Sequence, residues 1–138
     1  MIRQLSIFAE NKRGMMHRIT QVLADAGVDM NTLITNDSAE FGIIRMLVDD
    51  TDRAAEALQT AGYLCHTDFV VAAEIDSACG SLNQLLGILS DGNVNLDYLY
   101  VTYSNLSKQP VAILRATDLM DVEEFLQAKG YNMLEKLD

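Results

Sequence analysis

Cysteine and histidine are scarce in this 138-residue chain, with two residues of each. Cys65 and Cys79 do not form a Cys-x-x-Cys pair, and His17 and His66 do not supply the spacing of a zinc site. The composition therefore excludes a disulfide framework and fits a reducing compartment. On the same grounds, the sequence predicts no metal and no other cofactor.

Basic residues and long apolar runs are scarce as well. Ten Lys and Arg residues stand against twenty Asp and Glu residues, which gives a net charge of −10. A negative field of this size repels phosphate groups, so nucleic acids and anionic membranes are not expected as partners. The sequence contains no run of eighteen apolar residues, and no signal peptide follows Met1, so we expect a cytoplasmic protein.

Hydrophobic residues make up 49% of the chain, enough for a packed core, and they recur in two similar halves. Gly14 aligns with Gly80 at a shift of 80 − 14 = 66, and Gly62 aligns with Gly130 at a shift of 130 − 62 = 68. The two extra residues fall in the polar stretch Ser104–Gln109. We therefore predict two copies of one unit, a first domain at residues 1–68 and a second at residues 69–138.

Alternating apolar residues predict strands, and apolar residues three and four apart predict helices. The first copy is predicted to contain strand Gln4–Glu10, helix Met15–Ala26, strand Val28–Thr35, turn Asn36–Glu40, strand Phe41–Val48, a helix capped by Asp49–Asp52 and ended by Gly62, and strand Tyr63–Thr67. The second copy is predicted to contain strand Phe69–Ile75, helix Leu82–Leu89, strand Val94–Tyr103, strand Val111–Ala116 opened by Pro110, helix Met120–Ala128 capped by Thr117 or Asp118, and strand Tyr131–Leu134. Met16 and Leu86 are placed on the apolar faces of their helices.

Each half thus has the order β-α-β-β-α-β. With right-handed crossovers, this order gives a four-stranded antiparallel sheet with both helices on one face. The predicted fold class is α+β, with two ferredoxin-like units in tandem. Because a half of about seventy residues buries little surface alone, we expect the halves to pack together or to pair with another chain.

The turn between the first strand and the first helix is the candidate functional site in each copy. A polar residue, a glycine and a helix start follow one another at Asn11, Gly14 and Met15, and again at Ser77, Gly80 and Ser81. Such a turn leaves several backbone N–H groups pointing one way, which suits a small carboxylate or phosphate.

These turns, together with the junctions Gly27-Val28-Asp29-Met30 and Asn93-Val94-Asn95-Leu96, resemble the ACT domain, a family of small regulatory modules that bind amino acids. The resemblance covers essentially the whole chain, twice. In the family a proline usually precedes the loop glycine, whereas this chain has Arg13 and Cys79 there. The resemblance implies a non-catalytic regulatory protein, and the regulated activity is expected on a separate metabolic enzyme.

The resemblance also implies where a ligand binds, because in the family it lies between the first loop of one module and the second strand of a neighbour. Carried over by position, the ligand-binding residues are Asn11, Gly14, Met15, Met16 and Asp29 in the first copy and Ser77, Gly80, Ser81 and Asn95 in the second. The N–H groups of Met15 and Met16 can hold an α-carboxylate, and Asp29 can accept from an α-ammonium. Modules of the family associate through strand edges, so we expect a homodimer.

Other readings of the sequence stay open. A copper carrier of this fold needs a cysteine pair in its first loop, and an RNA-binding module needs exposed aromatic and basic residues, of which strand 41–48 offers only Phe41 and Arg45. Both are disfavoured. An assembly module without a ligand and a small ferredoxin-like enzyme remain as alternatives, although no nucleophile–base pair stands out. Tyr98, Tyr100 and Tyr103 predict either a strand-edge interface or ordinary sheet packing.

Overall fold

A computed structural model describes residues 1–35 and 41–138, so the predicted turn at residues 36–40 lies outside the described part. The elements are β1 (Ile2–Glu10), α1 (Met15–Asp25), β2 (Met30–Thr35), β3 (Phe41–Val48), α2 (Thr51–Thr60), β4 (Leu64–Glu74), α3 (Ser81–Asp91), β5 (Leu96–Tyr103), β6 (Pro110–Ala116), α4 (Leu119–Ala128) and β7 (Asn132–Met133). The predicted order of elements is confirmed, and the two strands predicted on either side of residue 68 are one strand, β4.

The chain forms two compact units, one of residues Arg3–Asp68 and one of residues Met1–Ile2 with Phe69–Asp138. In the unit Arg3–Asp68, hereafter the first unit, β3 pairs antiparallel with β1 and with β2, and β4 lies on the other side of β1. Ile7 faces Ile44 and Ala9 faces Gly42 across the β1–β3 pair. The strand order β2-β3-β1-β4 is that of a ferredoxin-like sheet, with β2 outermost.

The other unit, hereafter the second unit, repeats this arrangement. Its strand β6 pairs antiparallel with β4 and β5, and β7 pairs with β4, so the order is β5-β6-β4-β7. The α+β class and the tandem ferredoxin-like fold predicted from the repeat are confirmed. The division into separate domains at residues 1–68 and 69–138 stays a prediction.

Each unit has its own core between its helices and its sheet. In the first unit, Ile19 and Leu23 of α1 and Leu58 of α2 pack against Ile7 and Met46. The second core is built in the same way, from residues Val71, Ala73, Ile75, Leu85, Leu89, Ala112, Leu114, Ala116, Val122 and Leu126. The stripe of apolar residues on each helix therefore finds its partner on one face of a sheet, as the helical spacing predicts.

The predicted burial of two apolar helix residues is wrong. Leu86 is 38% exposed, and Met16 is 37% exposed. Successive helical residues differ by about 100° in direction. Because α3 buries Leu85 and Leu89, Leu86 is turned toward the edge of the apolar stripe, and Met16 likewise lies at the edge of the stripe on α1.

The helices begin in two different ways. Asp50 caps α2, since its Oδ1 accepts a hydrogen bond of 3.1 Å from the Arg53 N–H, and Asp52 adds a negative charge to the first turn. Asp118 precedes α4 as predicted, with Asp121 in the first turn, although its side chain makes no capping bond. Helices α1 and α3 instead begin after a glycine in the left-handed conformation, with no side-chain cap and no acid in the first turn. Acidic residues thus complement the positive helix end at α2 and α4 but not at α1 and α3.

The two-residue insertion of the second copy forms a closed turn. Ser104 is buried, and its Oγ accepts hydrogen bonds of 3.2 Å from the N–H groups of Leu106 and Ser107. The Ser107 hydroxyl donates to the Glu74 carboxylate at 2.5 Å, which ties this turn to β4.

Of the three tyrosines on β5, Tyr100 is buried and Tyr103 is 65% exposed, so their surroundings differ.

Candidate functional site

The start of α1 is shaped by Gly14, which has φ +80° and ψ 0°. A side chain at this φ is strained, and glycine is the residue that adopts it readily. The Met15 N–H donates to the Lys12 carbonyl at 3.2 Å, and the Arg18 N–H donates to the Gly14 carbonyl at 3.0 Å. The turn thus already uses the Met15 N–H, and the prediction that this group holds a carboxylate stays a prediction.

The N–H groups of Met16 and His17 come next along the chain, between the donor groups of Met15 and Arg18. As part of the first helical turn, they have no carbonyl acceptor within α1. Both residues are exposed, and Gly14 contributes no side chain to shield them. The helix start therefore presents two donors at its positive end, an arrangement that favours an anion.

A cavity of about 300 Å³ lies beside this helix start, within the first unit. Its walls come from the end of β1, the following loop, the start of α1, the end of β2 and the start of β3: Ala9, Glu10, Asn11, Lys12, Met15, Met16, Thr35, Gly42, Ile43 and Ile44. Lys12 Nζ and Glu10 Oε2 form an ion pair of 2.5 Å at the cavity wall. Three predicted site residues, Asn11, Met15 and Met16, thus line one cavity. Glu10, Lys12 and Gly42 were missed, although a glycine inside a strand is a signal for close approach of a ligand or of another chain segment.

Asp29 lies at the other end of α1. It is exposed and lines a different cavity, together with His17, Thr20, Gln21 and Met30 among others. Its N–H donates to Asp49 Oδ1 at 2.9 Å, and its carbonyl accepts from the Asp49 N–H at 3.0 Å, so the backbone here is held firmly. An eleven-residue helix is about 16 Å long. One copy of the unit therefore does not bring Asp29 and Gly14 to the same small ligand.

The corresponding residues of the second unit are also divided. Gly80 has φ +87°, so it adopts the left-handed conformation as Gly14 does. Ser77 and Gly80 do not line the cavity beside the start of α3. Ser81 donates its hydroxyl to the Ala78 carbonyl at 2.9 Å and lines a cavity of about 320 Å³. That cavity lies between the end of β4, the start of α3 and the segment that joins α4 to β7. Its walls are largely polar but include two isoleucines: Glu74, Ile75, Asp76, Ser81, Gln84, Ile88, Gln109, Lys129, Gly130, Tyr131 and Asn132. Asn95 lines a separate cavity of about 430 Å³ beside Asp118 and Phe125.

Burial and hydrogen bonding shift the pKa values of individual side chains in the two units. Burial raises the pKa of Tyr131 in the second unit. In the first unit, the hydrogen bond of 2.9 Å from Arg3 lowers the pKa of Asp52, and this exposed pair joins β1 to the start of α2.

Within residues 1–35 and 41–138, no three His, Cys, Asp or Glu side chains form a group that could hold a metal ion. In those same ranges, no helix is both long enough and apolar enough to span a membrane.

The fold and the glycine-started helices define a pair of small ferredoxin-like modules, and comparison with known proteins gives the family. The family model for the ACT domain pair matches residues 1–137, so the chain belongs to that family. No curated protein matches the chain in sequence.

Among solved structures, protein BT0572 from Bacteroides thetaiotaomicron is 32% identical to this chain, with a TM-score of 0.88 and coverage of 96% of this chain and 91% of that one. The ligand-free regulatory subunit of aspartate kinase from Thermus thermophilus is 12% identical, with a TM-score of 0.64 and coverage of 91% and 90%. The aspartokinase alpha and beta subunits are 18% identical, with a TM-score of 0.58 and the same coverage. The two aspartate kinase structures share the fold with this chain.

Proposed function

We propose that the protein is a non-catalytic regulatory protein that binds a free amino acid at the start of α1 and regulates a metabolic enzyme, its partner chain, in the cytoplasm. The observation that carries the proposal is the uncapped start of α1 beside a cavity of about 300 Å³. This volume lies at the lower end of the range of small-molecule sites, which runs from roughly 300 to 1,000 Å³. Membership of the ACT domain pair family supports the same reading.

The ligand's carboxylate and ammonium have different partners in this proposal. The carboxylate accepts from the N–H groups of Met16 and His17 at the positive end of α1. The ammonium requires an acceptor within a few ångströms of the carboxylate, because both groups are carried by one carbon atom. Asp29 of the same unit does not line the cavity beside the start of α1, so the proposed acceptor is Asp29 of a second chain. The position of Asp29 just before β2, the outermost strand of the first unit, suits this role.

The alternative of an assembly module without a ligand predicts that no amino acid binds. The first-unit cavity lies beside helix N–H groups that have no acceptor within α1. This favours the amino-acid-binding protein, since an assembly module needs neither the cavity nor the free donors. The first unit is the better candidate, because Asn11 lines its cavity and its second strand is preceded by an acid. The second unit offers Ser77 and Asn95, which are neutral, and Ser77 does not line the cavity beside the start of α3.

Replacing Asp29 by alanine should weaken amino-acid binding strongly. A charge-assisted hydrogen bond contributes roughly 1.5–3 kcal/mol, so Asp29→Ala should lower affinity by about tenfold to a hundredfold. Asn95→Ala, at the corresponding position of the second unit, is the matched control and should change affinity little. A thermal-shift screen of the twenty amino acids identifies the ligand, because a ligand at a hundred times its Kd stabilises the folded protein by about 2.7 kcal/mol. Calorimetry then compares the variants, and equal affinity of wild type and Asp29→Ala would contradict this placement.

The same geometry predicts a homodimer. Two chains that each supply Asp29 to the other's α1 complete two equivalent sites, as a two-fold axis requires. Val101 and Tyr103 on β5, the outermost strand of the second unit, are 41% and 65% exposed, and such an edge also invites pairing. Light scattering should therefore give twice the chain mass at micromolar concentration. A monomer that still binds the amino acid with Asp29 in place would rule out the shared site.

A further inference from the structure

The first-unit cavity has an ion pair in its wall. Glu10 and Lys12 both line the cavity, and the Glu10 carboxylate lies 2.5 Å from Lys12 Nζ. The backbone brings the two side chains together, because the Lys12 N–H donates to the Glu10 carbonyl at 2.9 Å in a tight turn. The pair demonstrates that a carboxylate fits beside Lys12 at this wall. Both side chains are exposed, and ion pairs in contact with water are weak, so another carboxylate can replace that of Glu10.

The surroundings of this pair are positively charged. Residues 12–18 contain three of the ten Lys and Arg residues of the chain, Lys12, Arg13 and Arg18, and no acid. A Cβ on Gly14 would stand 3.2 Å from a guanidinium nitrogen of Arg18, so this guanidinium lies against the start of α1. In a chain of net charge −10, such a local excess of cations attracts an anion to the first-unit cavity.

The second unit lacks this charge at the same positions. At the repeat shift of 78 − 12 = 66, neutral residues replace the three cations: Ala78, Cys79 and Gln84. The charged walls of the second-unit cavity are the acids Glu74 and Asp76 and a single lysine, Lys129. An anionic group is therefore favoured in the first unit and not in the second.

The other walls of the first-unit cavity suit a short carbon chain with a polar end. Met15, Ile43 and Ile44 are apolar and can pack against methylene groups, and methionine adapts to the shape of its neighbours. Asn11 and Thr35 add polar side chains to the same cavity. The side chains of aspartate and glutamate combine one or two methylene groups with a carboxylate, which matches this mixture.

We infer that the ligand of the first unit is an amino acid with an acidic side chain, aspartate or glutamate, and that its side-chain carboxylate binds Lys12 in place of Glu10. Glu10 then turns into the solvent, so it competes with the ligand for the lysine and lowers the affinity. The inference rests on the proposed function, since it names the ligand class of the same site. The α-carboxylate and the ammonium keep the partners proposed above.

Glutamate and glutamine test the ligand class, because their side chains have the same shape and differ in charge, and aspartate and asparagine form a second such pair. In at least one pair, calorimetry on the full chain should show the acid binding at least about threefold more tightly than the amide, because its bond to Lys12 joins two charges. Raising the salt from about 0.1 M to about 1 M shortens the screening length from about 10 Å to about 3 Å, and should narrow this preference.

The outcomes separate the inference from the proposed function. Binding of the amides as tightly as the acids in both pairs, or binding of other amino acids only, would overturn the inference and leave the proposed function standing. Binding of no amino acid at all would overturn the proposed function and the inference with it.

Lys12→Met removes the charge and nearly keeps the length of an exposed side chain. The affinity for the preferred acid should fall by at least about threefold, and the affinity for its amide should change little, because only the acid gains from the ammonium group. Lys129→Met, which removes the lysine of the second-unit cavity, is the matched control and should leave both affinities unchanged. Unchanged acid affinity in Lys12→Met would overturn the inference.

Glu10→Gln distinguishes competition by Glu10 from direct binding of the ligand by Glu10. Without the competing carboxylate, the affinity for the acid should rise by several fold. The gain should vanish when Glu10→Gln is combined with Lys12→Met, because Glu10 acts only through Lys12. A loss of acid affinity in Glu10→Gln would mean that this carboxylate binds the ligand's ammonium, and it would overturn the inference. Circular dichroism and melting temperature report whether each variant is folded.

Discussion

Gly14→Val should abolish amino-acid binding. A β-branched residue rarely adopts a φ of +80°, so the backbone between Lys12 and Met16 must rearrange. The added Cβ would also stand 3.2 Å from a guanidinium nitrogen of Arg18, which must shift slightly. Rearrangement turns the N–H groups of Met16 and His17 away from the position of the carboxylate. Calorimetry with the best-binding amino acid should show no heat above dilution.

Gly80→Val separates the loss of the site from general strain. Gly80 has nearly the same conformation, with φ +87° and ψ −1°, and a Cβ there would meet nothing within 4 Å. Both variants therefore have similar backbone strain, of roughly 1–3 kcal/mol, but only Gly14→Val changes the first unit. Gly80→Val should bind the amino acid as wild type does. Equal loss of binding in both variants would mean that the second unit takes part in the site.

Leu85→Ala should be among the most destabilising substitutions in the second unit. Leu85 is fully buried in the core cluster, and replacing a buried leucine by alanine removes apolar contacts and leaves a cavity. Such substitutions typically cost 2–5 kcal/mol of unfolding free energy, which is a large part of the stability of a typical domain. Denaturant unfolding monitored by circular dichroism measures this loss.

Leu86→Ala is the matched control, one residue further along the same helix with the same change of side chain. Leu86 is 38% exposed, so its truncation removes less buried surface, and we expect a loss of less than about 1 kcal/mol. The two substitutions change helix propensity by the same amount, because both replace leucine by alanine. Equal losses for the two variants would contradict the burial of Leu85 against the sheet.

The sequence by itself determined the architecture, because the repeat, the periodicity and the turn residues all point to the same fold. The shift of 66 residues that places Gly14 on Gly80 predicted two like units, and the structure gives both helices a left-handed glycine at the start. The acids before α2 predicted its cap, which Asp50 provides. These features depend on local backbone conformation and on spacing within one element, and both can be read from neighbouring residues.

Only the tertiary structure decided how the candidate site is built. The opposition of Ala9 and Gly42 depends on strand register between residues far apart in sequence, and single strands do not reveal it. The separation of Asp29 from Gly14 follows from the length of α1, and the use of the Met15 N–H in the turn follows from the conformation of Gly14. Leu86 lies at the edge of an apolar stripe whose centre is set by the sheet it packs on. Periodicity shows that a helix has an apolar side, but contacts with the rest of the unit fix which residues on that side are buried and which border a cavity.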